Sequence, residues 1–152
     1  MREGRVAQVN VSQGGVPKRP VLAARIGKLG LEGDKVRLTR VHGGPERAVC
    51  LYGLERIDAL REEGHAIFPG ALGENLTLEG LDWDLVVPGA RLRVGSALLE
   101  VTKYAVPCAT TAPFVSDDLK RYHQDHFPGW SRVYARVLEE GDVAPGDAAL
   151  LL

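Results

Sequence analysis

Cys108 stands in Ala105-Val106-Pro107-Cys108-Ala109-Thr110-Thr111, directly after a run with strand character. Proline cannot donate to a β-ladder, so the strand should end there and leave Cys108 on a loop, where reactive groups are commonly displayed. Once ionised, such a thiol is a nucleophile or a metal ligand, and Lys103 or an arginine from elsewhere would favour the thiolate. The alternative is a small buried hydrophobe, a frequent fate of cysteine, and the local residues leave both readings open. Cys50, in the middle of Ala48-Val49-Cys50-Leu51-Tyr52, reads as core.

Three glycine-punctuated segments hold polar side chains ready for a ligand. In His42-Gly43-Gly44-Pro45-Glu46-Arg47 the glycines allow close backbone approach, and the two ends of the turn carry His42 and Arg47. Backbone N–H groups there could cradle an anion beside the Arg47 fork. Equally, the segment could be a plain turn with Arg47 in a surface ion pair. It is not a P-loop, because GxxxxGK[ST] is absent. Gly70-Ala71-Leu72-Gly73-Glu74-Asn75 sets an amide before a strand, where Asn75 could bond a heterocycle or complete a turn. Gly30-Leu31-Glu32-Gly33-Asp34-Lys35 has the same style. His123 and His126 have metal-compatible spacing, but no further ligands follow at zinc-like spacing, so a solvated helix face is the better reading.

These residues must be positioned by short strands. Val6–Val11, Val21–Ile26, Ala48–Tyr52, Leu76–Leu78, Arg91–Val94, Leu98–Tyr104, Tyr134–Leu138 and Ala148–Leu152 read as β, with Gly95-Ser96-Ala97 as a hairpin loop. Two helices are predicted, over Leu54–Glu63 with Gly64 behind it and over Asp117–His126 with Ser116 as N-cap. Many strands and few helices imply a mainly β barrel or sandwich.

The 152 residues fit one domain, residues 1–152, able to bury a core without disulfide or metal. With 19 basic and 20 acidic residues and a net charge of −1, nothing advertises a nucleic-acid partner or an anionic membrane. No run reaches the length of a membrane span and the first residues lack the apolar stretch of a leader. The expectation is a cytoplasmic protein whose two cysteines are free thiols.

Read in order, the segments Gly15-Val16-Pro17-Lys18, Gly30-Leu31-Glu32-Gly33-Asp34, His42 through Val49, Gly73-Glu74-Asn75-Leu76, Pro107-Cys108 and Gly129-Trp130 resemble the MOSC family, the domain found at the C-terminus of molybdenum-cofactor sulfurases. The resemblance implies a MOSC-like β-barrel with a few short helices and a molybdenum cofactor (molybdopterin) as ligand. It implies that Cys108 is the catalytic residue, ligating molybdenum or carrying sulfur as a persulfide. Lys18, His42, Arg47, Glu74, Asn75 and Arg132 become the residues expected to bind the pterin and its phosphate. The implied activity is reduction of N-hydroxylated compounds with electrons from a separate redox protein. The rival expectations are a sulfur or cofactor carrier working with a delivery partner, and a cofactor-free interaction module. Family members known for that reduction often place an arginine shortly before Pro-Cys; here the residues are Lys103-Tyr104-Ala105-Val106.

Overall fold

The computed structural model describes residues 2–35, 44–115 and 119–152. Its elements are β1 (Glu3–Val11), β2 (Arg19–Val21), β3 (Ala24–Gly27), β4 (Gly30–Leu31), β5 (Val49–Gly53), α1 (Leu54–Glu62), β6 (Leu76–Glu79), β7 (Arg91–Val94), β8 (Ala97–Tyr104), α2 (Ala112–Val115), β9 (Val133–Glu139), β10 (Gly141–Val143) and β11 (Ala148–Leu151). Strands β11-β7-β8-β9-β5-β6-β1 run in that order, and β1 pairs back to β11, closing a seven-stranded barrel. Strand β2 extends β1, and β10-β3-β4 form a separate three-stranded sheet. The chain is thus mainly β, as the strand pattern predicts.

Every pairing in the barrel is antiparallel except β5–β6. A parallel pair needs a crossover, and α1 with the loop behind it supplies one. The apolar positions Ile57 and Leu60 turn inward from α1. The five residues of β5 are all buried, as its unbroken apolar run implies. In β1 a register shift between Val6 and Gln8 changes which side chains face inward. Val6 and Val9, three residues apart, are therefore both buried.

Two expectations fail. Val21–Ile26 is not one strand: the chain bends at Leu22, which is 91% exposed, and divides between the barrel and the small sheet. Nor does an α-helix run over residues 119–126, the described part of the helix predicted over Asp117–His126. The second helix is the four-residue α2, and Leu119–Tyr122 is a single 3-10 turn. Here tertiary contacts outweigh helix propensity. Tyr122 is buried against Thr111, while Arg121 pairs with Glu63 and lies over Phe127 and Trp130. Ser116 and Asp117 fall outside the described residues, as does His42.

Candidate active site around Cys108

The exits of β1 and β8 and the entries of β5, β6 and β9 deliver the loops that line one cleft of about 680 Å3, counting its open mouth. Its walls include Lys18, Asp34, Lys35, Arg47, Cys50, Asn75, Cys108, Thr110, Thr111, Arg132 and Tyr134. Among the described residues, then, the lining carries four cationic side chains and one carboxylate.

Cys108 lies beyond β8 in extended backbone, at the start of the 3-10 turn Ala109–Thr111. The strand ends at Tyr104, three residues before Pro107, so Cys108 falls on a loop, and its thiol is partly accessible. Partial burial raises its pKa, but the Thr110 hydroxyl at 3.2 Å, the Thr110 backbone N–H and the Arg132 charge outweigh that. The net result is a thiol below its ordinary range. The loop is braced from beneath: the Thr111 N–H and hydroxyl both donate to the Cys108 carbonyl, at 2.9 and 2.6 Å. Thr111 also bonds the Tyr122 hydroxyl, and the Arg132 guanidinium lies over the Tyr122 ring.

Arg132 is itself 3% exposed. It donates to the carbonyls of Leu72 at 2.7 Å and Val106 at 3.2 Å, tying the β6 approach to the Cys108 loop. Both acceptors are neutral, its Nε is buried without a hydrogen-bond partner, and it makes no ion pair among the described residues. A buried cation held in this way favours any anion that enters the cleft.

Lys18 is 9% exposed and pairs with Asp34 at 2.7 and 2.9 Å. Asp34 also accepts from the Asn75 amide at 2.9 Å and the Ser12 N–H at 2.9 Å. The other Asn75 N–H reaches the Asn10 carbonyl, and Asn75 Oδ1 accepts from the Cys50 N–H at 3.0 Å. Asn75 thus lines the cleft while its N–H groups are spent on its frame. Gly70 closes that frame: it has φ +91°, and a Cβ there would collide with the Lys18 carbonyl oxygen.

The cleft therefore gathers Lys18, Arg47, Asn75, Arg132 and Cys108, but not Glu74. The Glu74 side chain is fully buried, accepts from the Gly70 N–H and the Thr77 hydroxyl, and has its carboxyl pushed up by burial. It supports the loop and does not face the ligand space. Lys103, proposed as a neighbour for Cys108, stays exposed on β8, and the charge comes from Arg132 instead. Asp34, Thr110, Tyr134 and the cleft-facing position of Cys50 were not anticipated. Thr110 was visible as a hydroxyl two residues from the thiol; the others depend on pairings between distant segments.

Cys50 is 5% exposed and packed with Ala105 and Tyr134, and burial pushes its thiol up to about 11. In native protein near neutral pH, iodoacetamide should modify Cys108 at least about tenfold faster than Cys50, the ionisation difference being partly offset by the stronger intrinsic nucleophilicity of a high-pKa thiol. Peptide mass spectrometry after timed labelling checks this, and equal rates would refute the assignment of Cys108 as the reactive thiol.

The MOSC domain model matches residues 38–149. The chain belongs to the MOSC domain family. It is 35% identical over 136 residues to the uncharacterised protein YflK of Bacillus subtilis, covering 87% of this chain and 60% of YflK. It is 39% identical over 85 residues to YiiM of Escherichia coli, covering 53% of this chain and 38% of YiiM. The chain thus spans less than two thirds of the length of these relatives. The crystal structure of YiiM from Geobacillus stearothermophilus superposes with a TM-score of 0.78 at 30% identity, over 98% of this chain and 75% of that one. This MOSC domain has no helix among its described residues long and apolar enough to cross a membrane.

Proposed function

We propose that this MOSC domain binds the molybdenum cofactor in the Cys108 cleft, with the Cys108 thiolate as ligand to the metal. The observation that carries the reading is a low-pKa, partly accessible thiol opening onto a cleft that also holds the buried Arg132 cation. A thiolate is the form that binds a metal, and an anionic pterin phosphate suits a lining with four cations and one carboxylate. The cations divide the work. Lys18 is committed to Asp34 and keeps the floor in place. Lys35 and Arg47 stand in the lining as candidates for the phosphate. Arg132 fixes the Cys108 loop and adds positive charge beside the sulfur.

Bound there, the cofactor would supply two-electron chemistry that converts an N–OH group and two protons to N–H and water, with electrons from a separate redox protein. A persulfide on Cys108 is the other use of the same thiolate, and it would make the domain a sulfur carrier. Molybdenum and pterin quantification, on protein made in a host with intact cofactor synthesis, tests the central claim. Wild type should contain both; Arg47→Ala should bind about ten- to a hundredfold more weakly, the effect of losing one charge-assisted bond. Cys108→Ser should keep pterin and lose turnover of an N-hydroxylated substrate with an artificial electron donor. Wild type devoid of both metal and pterin would overturn the reading. Cyanide-labile sulfur in place of metal would favour the carrier.

A further inference from the structure

The 3-10 turn Pro45–Arg47 brings Arg47 to the wall of the cleft, yet none of its three residues is buried. The turn is closed locally: Gly44 takes φ +94°, and its carbonyl accepts from the Arg47 N–H at 3.1 Å. It adds no side chain to the core, so its place on the barrel depends on polar contacts with β8 and β9. The Thr102 hydroxyl of β8 donates to the Glu46 carbonyl at 2.5 Å. The Arg136 guanidinium of β9 pairs with the Glu46 carboxylate at 3.1 Å.

These two holds are unequal. The Arg136 and Glu46 side chains are 42% and 61% exposed, and an ion pair between such side chains contributes little. Thr102 instead grips the main chain one residue before Arg47. Its oxygen also lies 3.2 Å from the Tyr134 carbonyl, so the hydroxyl sits between the turn and β9. Tyr134 lines the cleft beside Arg47, whereas Thr102 does not line it. We propose that Thr102 is a positioning residue for Arg47: its hydroxyl clasps the turn to the barrel and keeps the guanidinium at the cleft, facing an anionic group of the ligand. Thr102 never meets that ligand and acts through Arg47 alone.

The inference rests on the reading that Arg47 meets the anionic part of the ligand, and inorganic pyrophosphate serves as the probe. Titration calorimetry at low salt is run on the full chain, made in a host without cofactor synthesis. The proteins compared are wild type, Thr102→Val, Thr102→Ser, Arg47→Ala and the double variant Thr102→Val with Arg47→Ala. Arg47→Ala should bind about ten- to a hundredfold more weakly, the effect of losing one charge-assisted bond. Thr102→Val keeps the branched shape and strand preference of threonine. It should bind about three- to tenfold more weakly, because a loosened turn lowers the fraction of molecules with Arg47 in place. Thr102→Ser keeps the donor and should stay within about twofold of wild type. With Arg47 already replaced, Thr102→Val should cost no further affinity, since both changes act through one guanidinium. Should Thr102→Val fold poorly, Thr102→Ala compared with Thr102→Ser gives the same contrast. Wild-type affinity in folded Thr102→Val or Thr102→Ala would overturn the role of Thr102, as would an equal loss with Arg47 already replaced. Pyrophosphate held no better by wild type than by Arg47→Ala would overturn the Arg47 cradle itself, and this inference with it, so the two failures are distinguishable.

Discussion

Asp34→Ala should destabilise the protein by about 3–5 kcal/mol, the cost of stranding a buried cation by removing its partner. Lys18 is the stranded group: the Lys18 and Asp34 side chains are only 10% and 8% exposed. Asp34 also accepts from Ser12 and Asn75, so the change leaves two further donors without their acceptor. Against a total stability of roughly 5–15 kcal/mol for a typical domain, such a loss brings the fold near its limit. Urea unfolding reads it as a lower midpoint at unchanged slope. Pairing Lys18→Met with Asp34→Leu should recover much of the loss, because an apolar pair removes both charges together. The effect should also be nearly independent of salt, since buried pairs are little screened. A loss below about 1 kcal/mol would mean that solvent screens the pair as it does at a surface.

That ion pair also marks the boundary of what a sequence can disclose. Strand identity follows from local alternation and turn chemistry, so β7, β8 and their hairpin are legible almost residue by residue. The Val94–Ala97 pairing leaves Gly95 and Ser96 as the turn. Barrel closure is a different kind of fact: it rests on Glu3–Arg5 pairing with Ala148–Leu150, residues from opposite ends of the chain. The site divides the same way. Cys108 was exposed as a candidate by the proline before it, and Arg47 by the glycine turn ahead of β5. Asp34 gave no local sign that its carboxylate would accept from Lys18, Ser12 and Asn75 at once. Asn75 lines the cleft, yet its N–H groups serve Asp34 and Asn10 there. The failed helix shows the converse. Asp117–His126 has polar, helix-tolerant residues, but over the described residues 119–126 separate anchors at Arg121 and Tyr122 hold the chain in turns.

Arg132 should separate into two measurable functions when replaced in two ways. Arg132→Met removes the charge and leaves the Leu72 and Val106 carbonyls without their donors. The buried Leu72 carbonyl left unsatisfied costs about 1–3 kcal/mol, the part-buried Val106 carbonyl costs less because water can reach it, and the relief of a buried charge offsets part of the sum, so a net loss of about 1–3 kcal/mol is expected. The Cys108 thiol should also titrate at higher pH, because the Arg132 charge is one of the causes that lower it. Arg132→Lys keeps a cation but not the planar fork, so it cannot span both carbonyls as arginine does. It should therefore lose stability while keeping more of the thiol's acidity than Met does. Urea unfolding gives the first quantity and the pH dependence of Cys108 labelling gives the second, both in apo-protein. Equal thiol midpoints in the Lys and Met variants would show that Arg132 acts on Cys108 through loop geometry alone. Unchanged stability in both would mean that the bridge between the β6 approach and the Cys108 loop is dispensable.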